Sequence, residues 1–176
     1  MSTQNSEENL TAVEVTHSPT TVSAVLATLA SILAVFASST SLLAMGLGAF
    51  GLVAVVGGLF VFDSERAMAV GTGIVFVGVV LSGILGSSLA LLVMGSFATI
   101  LAFDIGQNAF SVGRQMSDET ETTRGELVHA SASLAVGIVI VGVAAVVYMA
   151  AFEGLSVSSL AFLLFGAMLL VWVIRQ

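Results

Sequence analysis

From Thr20 to Phe62 the chain carries no charge for 43 residues, and from Ala67 to Phe103 for another 37. As single helices these runs would be about 65 Å and 55 Å long, against a hydrocarbon core of ~30 Å. Each run must therefore fold back. The first breaks at its polar cluster, Ser38–Ser39–Thr40–Ser41. The second breaks around Ser82–Gly83 and Gly86–Ser87–Ser88. Four apolar helices are predicted at about 19–37, 42–62, 67–84 and 87–103, with Asp63–Ser64–Glu65–Arg66 as the charged turn between the middle two. Ser18–Pro19 reads as an N-cap followed by proline in the first helical position. After a polar segment over 104–123, Thr123-x-x-Glu126 matches a capping box and opens a fifth helix, about 124–151. Glu153–Gly154 breaks it. Ser156 caps a sixth helix, about 156–174, with Trp172 at interfacial depth. The predicted fold is all-α: a polytopic membrane protein whose six transmembrane helices form three hairpins over 19–176.

Residues 1–18 are polar and acidic and read as a disordered tail. No Lys or Arg precedes the first apolar run, so the basic region of a secretory signal is missing. Cleavage near Ala37–Ser38–Ser39 is the alternative. Internal repetition is faint: Phe62–Asp63 precedes Ala67–Met68–Ala69–Val70–Gly71 much as Phe103–Asp104 precedes Ala109–Phe110–Ser111–Val112–Gly113.

Composition agrees with the pattern. Apolar residues make up 57% and charged residues 9%, too few to coat a water-facing surface, where roughly 25% is usual. Mean hydropathy is +1.12. Cysteine and lysine are absent, and four arginines face eleven carboxylates for a net charge of −7. This balance argues against nucleic acid or anionic lipid as a partner, since both attract basic patches. It suits the cytoplasm of a halophile, because at ~1 M salt charges are screened within about 3 Å. All four arginines, Arg66, Arg114, Arg124 and Arg175, fall on one side of a six-span chain. The positive-inside rule makes that side, with both termini, cytoplasmic in a plasma membrane.

Small residues recur at helix-packing spacing, many of them four or seven apart: Ala44, Gly48, Gly51 and Gly58 in helix 2, Ala67, Gly71, Gly78 and Ser82 in helix 3, and Ser133, Gly137 and Ala144 in helix 5. Such spacing lets membrane helices approach closely, and packing within the bundle is its simplest use. Hydroxyls within the spans, Thr28, Ser31, Thr72, Ser96, Thr99 and Ser131, are expected to bond their own helix at the i−4 carbonyl. No ionisable residue lies at mid-depth in a span, which counts against an ion-coupled transporter.

Polar chemistry concentrates between 104 and 129. Asp104, Asn108, Ser111 and Gln115 share one face if helix 4 continues, leaving two geometries open. A helix stopping near Gly106 lets Arg124 reach Asp104. A longer one sets Asp104 beside Val136. The candidate polar cluster is Asp104, Asn108, Arg124, Glu126 and His129. Glu126 and His129 form a single E-x-x-H, whereas carboxylate-bridged metal sites in bundles need two copies and two further carboxylates. No metal, cofactor or catalytic residue is expected. Glu126 reads as a helix cap and His129 as an interfacial histidine.

The stretches Ala102–Phe103–Asp104–Ile105–Gly106–Gln107–Asn108–Ala109 and Arg124–Gly125–Glu126–Leu127–Val128–His129–Ala130 resemble a family of small haloarchaeal multi-pass membrane proteins. Members tend to be encoded beside a MoxR-type AAA+ ATPase, a von Willebrand-like domain protein and a transglutaminase-like membrane protein. Phe103 stands where that family often has Trp, and Gln107 where it has an acid. The resemblance implies company rather than chemistry. The expectation is a non-enzymatic membrane subunit or scaffold of an ATPase-linked assembly, with the bilayer and other membrane or cytoplasmic subunits as partners. The alternative is a small channel or transporter.

Overall fold

The computed structural model describes residues 18–115, 123–151 and 157–174. Residues 1–17, 116–122, 152–156 and 175–176 lie outside them, and with them the expected acidic tail, Glu153, Ser156 and Arg175. The described residues form six helices and no strand: α1 (Thr21–Ala37), α2 (Leu42–Phe60), α3 (Glu65–Ile84), α4 (Leu89–Gln115), α5 (Thr123–Ala151) and α6 (Val157–Ile174). α2 to α5 are long and apolar enough to cross a bilayer, and α1 and α6 contribute shorter apolar helices. The molecule is a polytopic membrane bundle.

α1 to α4 make the core. α2 packs most extensively on α3, and α1 on α4, so the closest partners are not always chain neighbours. α6 leans on α3, and α5 lies along α4 and α1. α5 is peripheral: from Leu127 to Val146 none of its residues is buried.

Small residues make the tight seams. The α1 face toward the core is Ser23, Ala24, Ala27, Ala30, Ser31, Ala34 and Ala37. Between α2 and α3, backbone meets backbone. A Cβ on Gly51 would lie 2.7 Å from the Gly71 carbonyl oxygen, and one on Gly71 would lie 2.6 Å from the Val55 nitrogen. A Cβ on Gly78 would sit 3.0 Å from the Ala44 oxygen and the Gly48 nitrogen. Gly48 itself faces Val35 at an ordinary 3.4 Å, and Gly137 receives the Phe97 ring.

The turns follow their residues. Ser41 caps α2 at Leu43 and Ala44, and Ser64 caps α3 at Ala67. Gly86 takes φ +97° between α3 and α4, a conformation that glycine adopts without a Cβ clash. Asp63 takes φ 44° between α2 and α3, and aspartate tolerates this left-handed region better than most residues.

The span hydroxyls behave as expected at Thr28, Ser31, Thr72, Thr99 and Ser131, each donating to the i−4 carbonyl at 2.6–2.9 Å. Ser96 does not: its buried oxygen has no partner.

Two departures matter. α1 begins at Thr21 with Thr20 as N-cap, two residues later than Ser18–Pro19 implies. The Thr20 N–H donates to the Ala109 carbonyl at 3.1 Å, and the Ser18 hydroxyl donates to Asp63 at 3.4 Å, so Ser18 is held by another turn. Second, α4 runs through Asp104 to Gln115. Its Gly106 is filled by Met68 of α3, and its Gly113 lies against the Ser18 carbonyl. These contacts carry the helix beyond the apolar run.

Candidate functional site

The polar residues gather at the end of the bundle that carries the α2–α3 turn and the facing ends of α4 and α5. This is the arginine-bearing end. Thr20 fixes the start of α1 level with Ala109. Asp104, five residues before Ala109 in α4, is therefore about 7.5 Å deeper into the apolar slab.

Glu126 is the most buried charged residue of the cluster, at 3% exposure. Its Oε2 accepts from the Ser23 backbone N–H at 2.8 Å and from the Ser23 hydroxyl at 2.7 Å. Ser23 sits in the first turn of α1, where N–H groups lack intrahelical partners. The local cap fails: Thr20 makes no side-chain cap bond, its buried hydroxyl has no partner, and the first turn contains no acid. A carboxylate from α5 supplies what α1 lacks. It meets the positive end of the helix dipole as well as the free donors.

Asp104 ties α4 to α5. Its Oδ2 accepts from the Ser133 hydroxyl at 2.5 Å. His129 Nε2 lies 3.2 Å from the same oxygen but makes no hydrogen bond there. The distance permits attraction to a protonated ring, but the alignment of a hydrogen bond is absent. Both side chains remain nearly half exposed. The register runs about one turn from the one that puts Asp104 beside Val136, and that turn brings it to Ser133. With α4 long, Arg124 does not meet Asp104. Arg124 is exposed in the first turn of α5 and forms no ion pair with a described residue. Asn108 is half-buried one turn from Asp104.

Glu126 and His129 therefore meet different helices, α1 and α4. Among the described residues no three His, Asp or Glu side chains gather as a metal site would need. Arg114 pairs with Glu65 at 2.6 Å, joining α4 to the start of α3. This pair is exposed enough that its contribution is small, about 0–1 kcal/mol.

Three participants were not anticipated from the sequence: Ser23, Ser133 and Glu65. Ser133 lies one turn after His129 on the same face, which was the available signal. For Ser23 the signal was a helix start with no acid of its own. Nothing local marked Glu65 as a partner for Arg114.

No curated protein and no solved structure matches the chain. A family model does, over residues 17–171, which is nearly all of the helical bundle. The chain belongs to DUF7519, a family of unknown function.

Proposed function

We propose that this protein is a non-enzymatic integral subunit or scaffold of the plasma membrane, holding partner subunits in an ATPase-linked assembly of a halophilic cell. The observation that carries the reading is what its charged groups do. Glu126 holds α1, Asp104 holds α5, and Glu65 holds Arg114. Two members of the candidate cluster, Glu126 and Asp104, work as helix-to-helix fastening. The periphery adds support: α5 and α6 present broad apolar faces, with Val136, Ile140, Val143 and Val146 of α5 each about 60% exposed or more. The arginine-bearing end, with both termini, faces the cytoplasm in this reading. There His129 offers a polar contact to a soluble partner.

Two measurements test it. Affinity purification from native membranes in high salt should bring down an ATPase with other membrane components. Recovery of the chain alone would overturn the subunit reading. Cysteines placed at 40 and 155 should react with an impermeant reagent from outside the cell, and one at 64 should not. The reverse pattern would overturn the orientation.

A further inference from the structure

A groove of about 380 Å³ runs between α1, α4 and α5. Leu26 and Leu33 of α1, Leu101 and Ile105 of α4, and Leu127 and Leu134 of α5 line it. Ser131 also faces it, but its hydroxyl donates to the Leu127 carbonyl at 2.6 Å and so offers the groove no free donor. The groove is partly open, and Leu29, Leu33, Leu127 and Leu134 along it are each more than 40% exposed. Its lower end lies beside the Ser23–Glu126 fastening, where α5 is drawn onto α1.

We infer that this groove binds one phospholipid of the leaflet at the arginine-bearing end, with an acyl chain in the groove and its phosphate at Arg124. Size selects the occupant. A helix is about 10–12 Å across with its side chains and does not fit such a volume, whereas a single flexible chain does. Water is a poor filler for a wall of leucine and isoleucine. Position selects the headgroup. Arg124 precedes Leu127 by three residues, so it lies one turn beyond the groove's end on an adjoining edge of α5. It is exposed and forms no ion pair with a described residue. A guanidinium matches two phosphate oxygens at once. Asn108 stands at the corresponding level on α4, one turn beyond Ile105. The net charge of −7 opposes general adhesion to anionic lipid, so retention depends on this one cation. The lipid acts as a wedge: α5 touches the core along a narrow line, and the chain in the groove widens that contact.

The test uses the full chain purified in mild detergent, with phosphatidylglycerol as the probe. A diacylglycerol with the same chains and no phosphate is the second arm. Native mass spectrometry should show one phosphatidylglycerol retained per chain. Ala130→Phe and Ser131→Phe fill the groove from a peripheral helix and should each reduce retention at least tenfold. Arg124→Gln should lose the preference for phosphatidylglycerol over diacylglycerol while the melting temperature without lipid stays unchanged. Equal retention by wild type and both filled variants, or none by wild type, overturns the groove. Equal retention of the two lipids by wild type overturns the role of Arg124. Should Ala130→Phe fail to fold, the more exposed Ser131→Phe decides.

Discussion

Leucine at Gly71 is expected to destabilise the bundle by more than about 3 kcal/mol, beyond the ordinary cost of overpacking. Overpacking a core usually costs ~1–3 kcal/mol because neighbouring side chains shift to make room. Here the obstacles are backbone atoms. A Cβ at Gly71 would meet the Val55 nitrogen at 2.6 Å and the Gly51 oxygen at 2.8 Å, so α2 and α3 would have to move apart along their whole seam. Gly51→Leu should behave alike, since it meets the Gly71 oxygen and the Val75 nitrogen, each at 2.7 Å. Gly137→Leu displaces only the Phe97 ring, and Gly48→Leu first meets the Val35 side chain. These two fall in the ordinary overpacking range of about 1–3 kcal/mol. Gly142 has nothing within 4 Å of a Cβ, so Gly142→Leu should stay within about 0.5 kcal/mol of wild type. Thermal melting of all five in one detergent gives the ranking. Melting of Gly71→Leu and Gly142→Leu at the same temperature would show that the α2–α3 seam is not what holds the core.

The contrast between these glycines shows how far a membrane sequence can be read. The number of helices was legible because charge and polar clusters punctuate an otherwise uniform apolar text, and span length is fixed by the bilayer. Which faces meet was less legible. Inside and outside are both apolar in lipid, so hydrophobic periodicity does not separate them. Small residues are then the main mark of a contact face. That mark picked out Gly51 and Gly71, where backbones touch, and Gly48, where contact is ordinary. It also passed over the alanine face of α1, which packs on α4 across a gap of more than fifty residues in sequence. In the polar cluster, the concentration of chemistry between 104 and 129 was legible and its pairing was not. Pairing depended on whether α4 ends near Gly106. Met68 and Ser18 settle that by packing against Gly106 and Gly113, and neither is near them in sequence. The capping box at Thr123-x-x-Glu126 reads Glu126 as serving the start of its own helix. The Glu126 carboxylate accepts from Ser23 of α1, because the buried first turn of that helix has donors without a cap of their own.

Glu126→Ala is expected to cost about 2–3 kcal/mol and to loosen two helices at once. The carboxylate holds two donors, the Ser23 N–H at 2.8 Å and the Ser23 hydroxyl at 2.7 Å, in a site where Glu126 is 3% exposed and Ser23 fully buried. Removing an acceptor so that a buried donor goes unsatisfied costs ~1–3 kcal/mol, with hydrogen bonds to charged groups toward the upper part. The hydroxyl can recover by turning to a carbonyl of its own helix, as Ser31 does, whereas the N–H has no such recourse. The effect should therefore exceed that of Ser23→Ala, which deletes only the recoverable donor and should cost about 1 kcal/mol. Glu126→Gln keeps an acceptor oxygen in place and loses the charge facing the helix dipole, a difference of roughly 0.3–2 kcal/mol. The expected order of melting temperatures is wild type, then Ser23→Ala and Glu126→Gln, then Glu126→Ala. The double variant Ser23→Ala/Glu126→Ala should be less damaged than the sum of its parts, since the same bond is removed twice. Hydrogen exchange gives an independent reading: amides in the first turn of α1 should lose protection in Glu126→Ala, while those of α2 and α3 keep theirs. Strict additivity in the cycle, with unchanged protection in α1, would mean that Glu126 serves only its own helix and that α5 does not hold the start of α1.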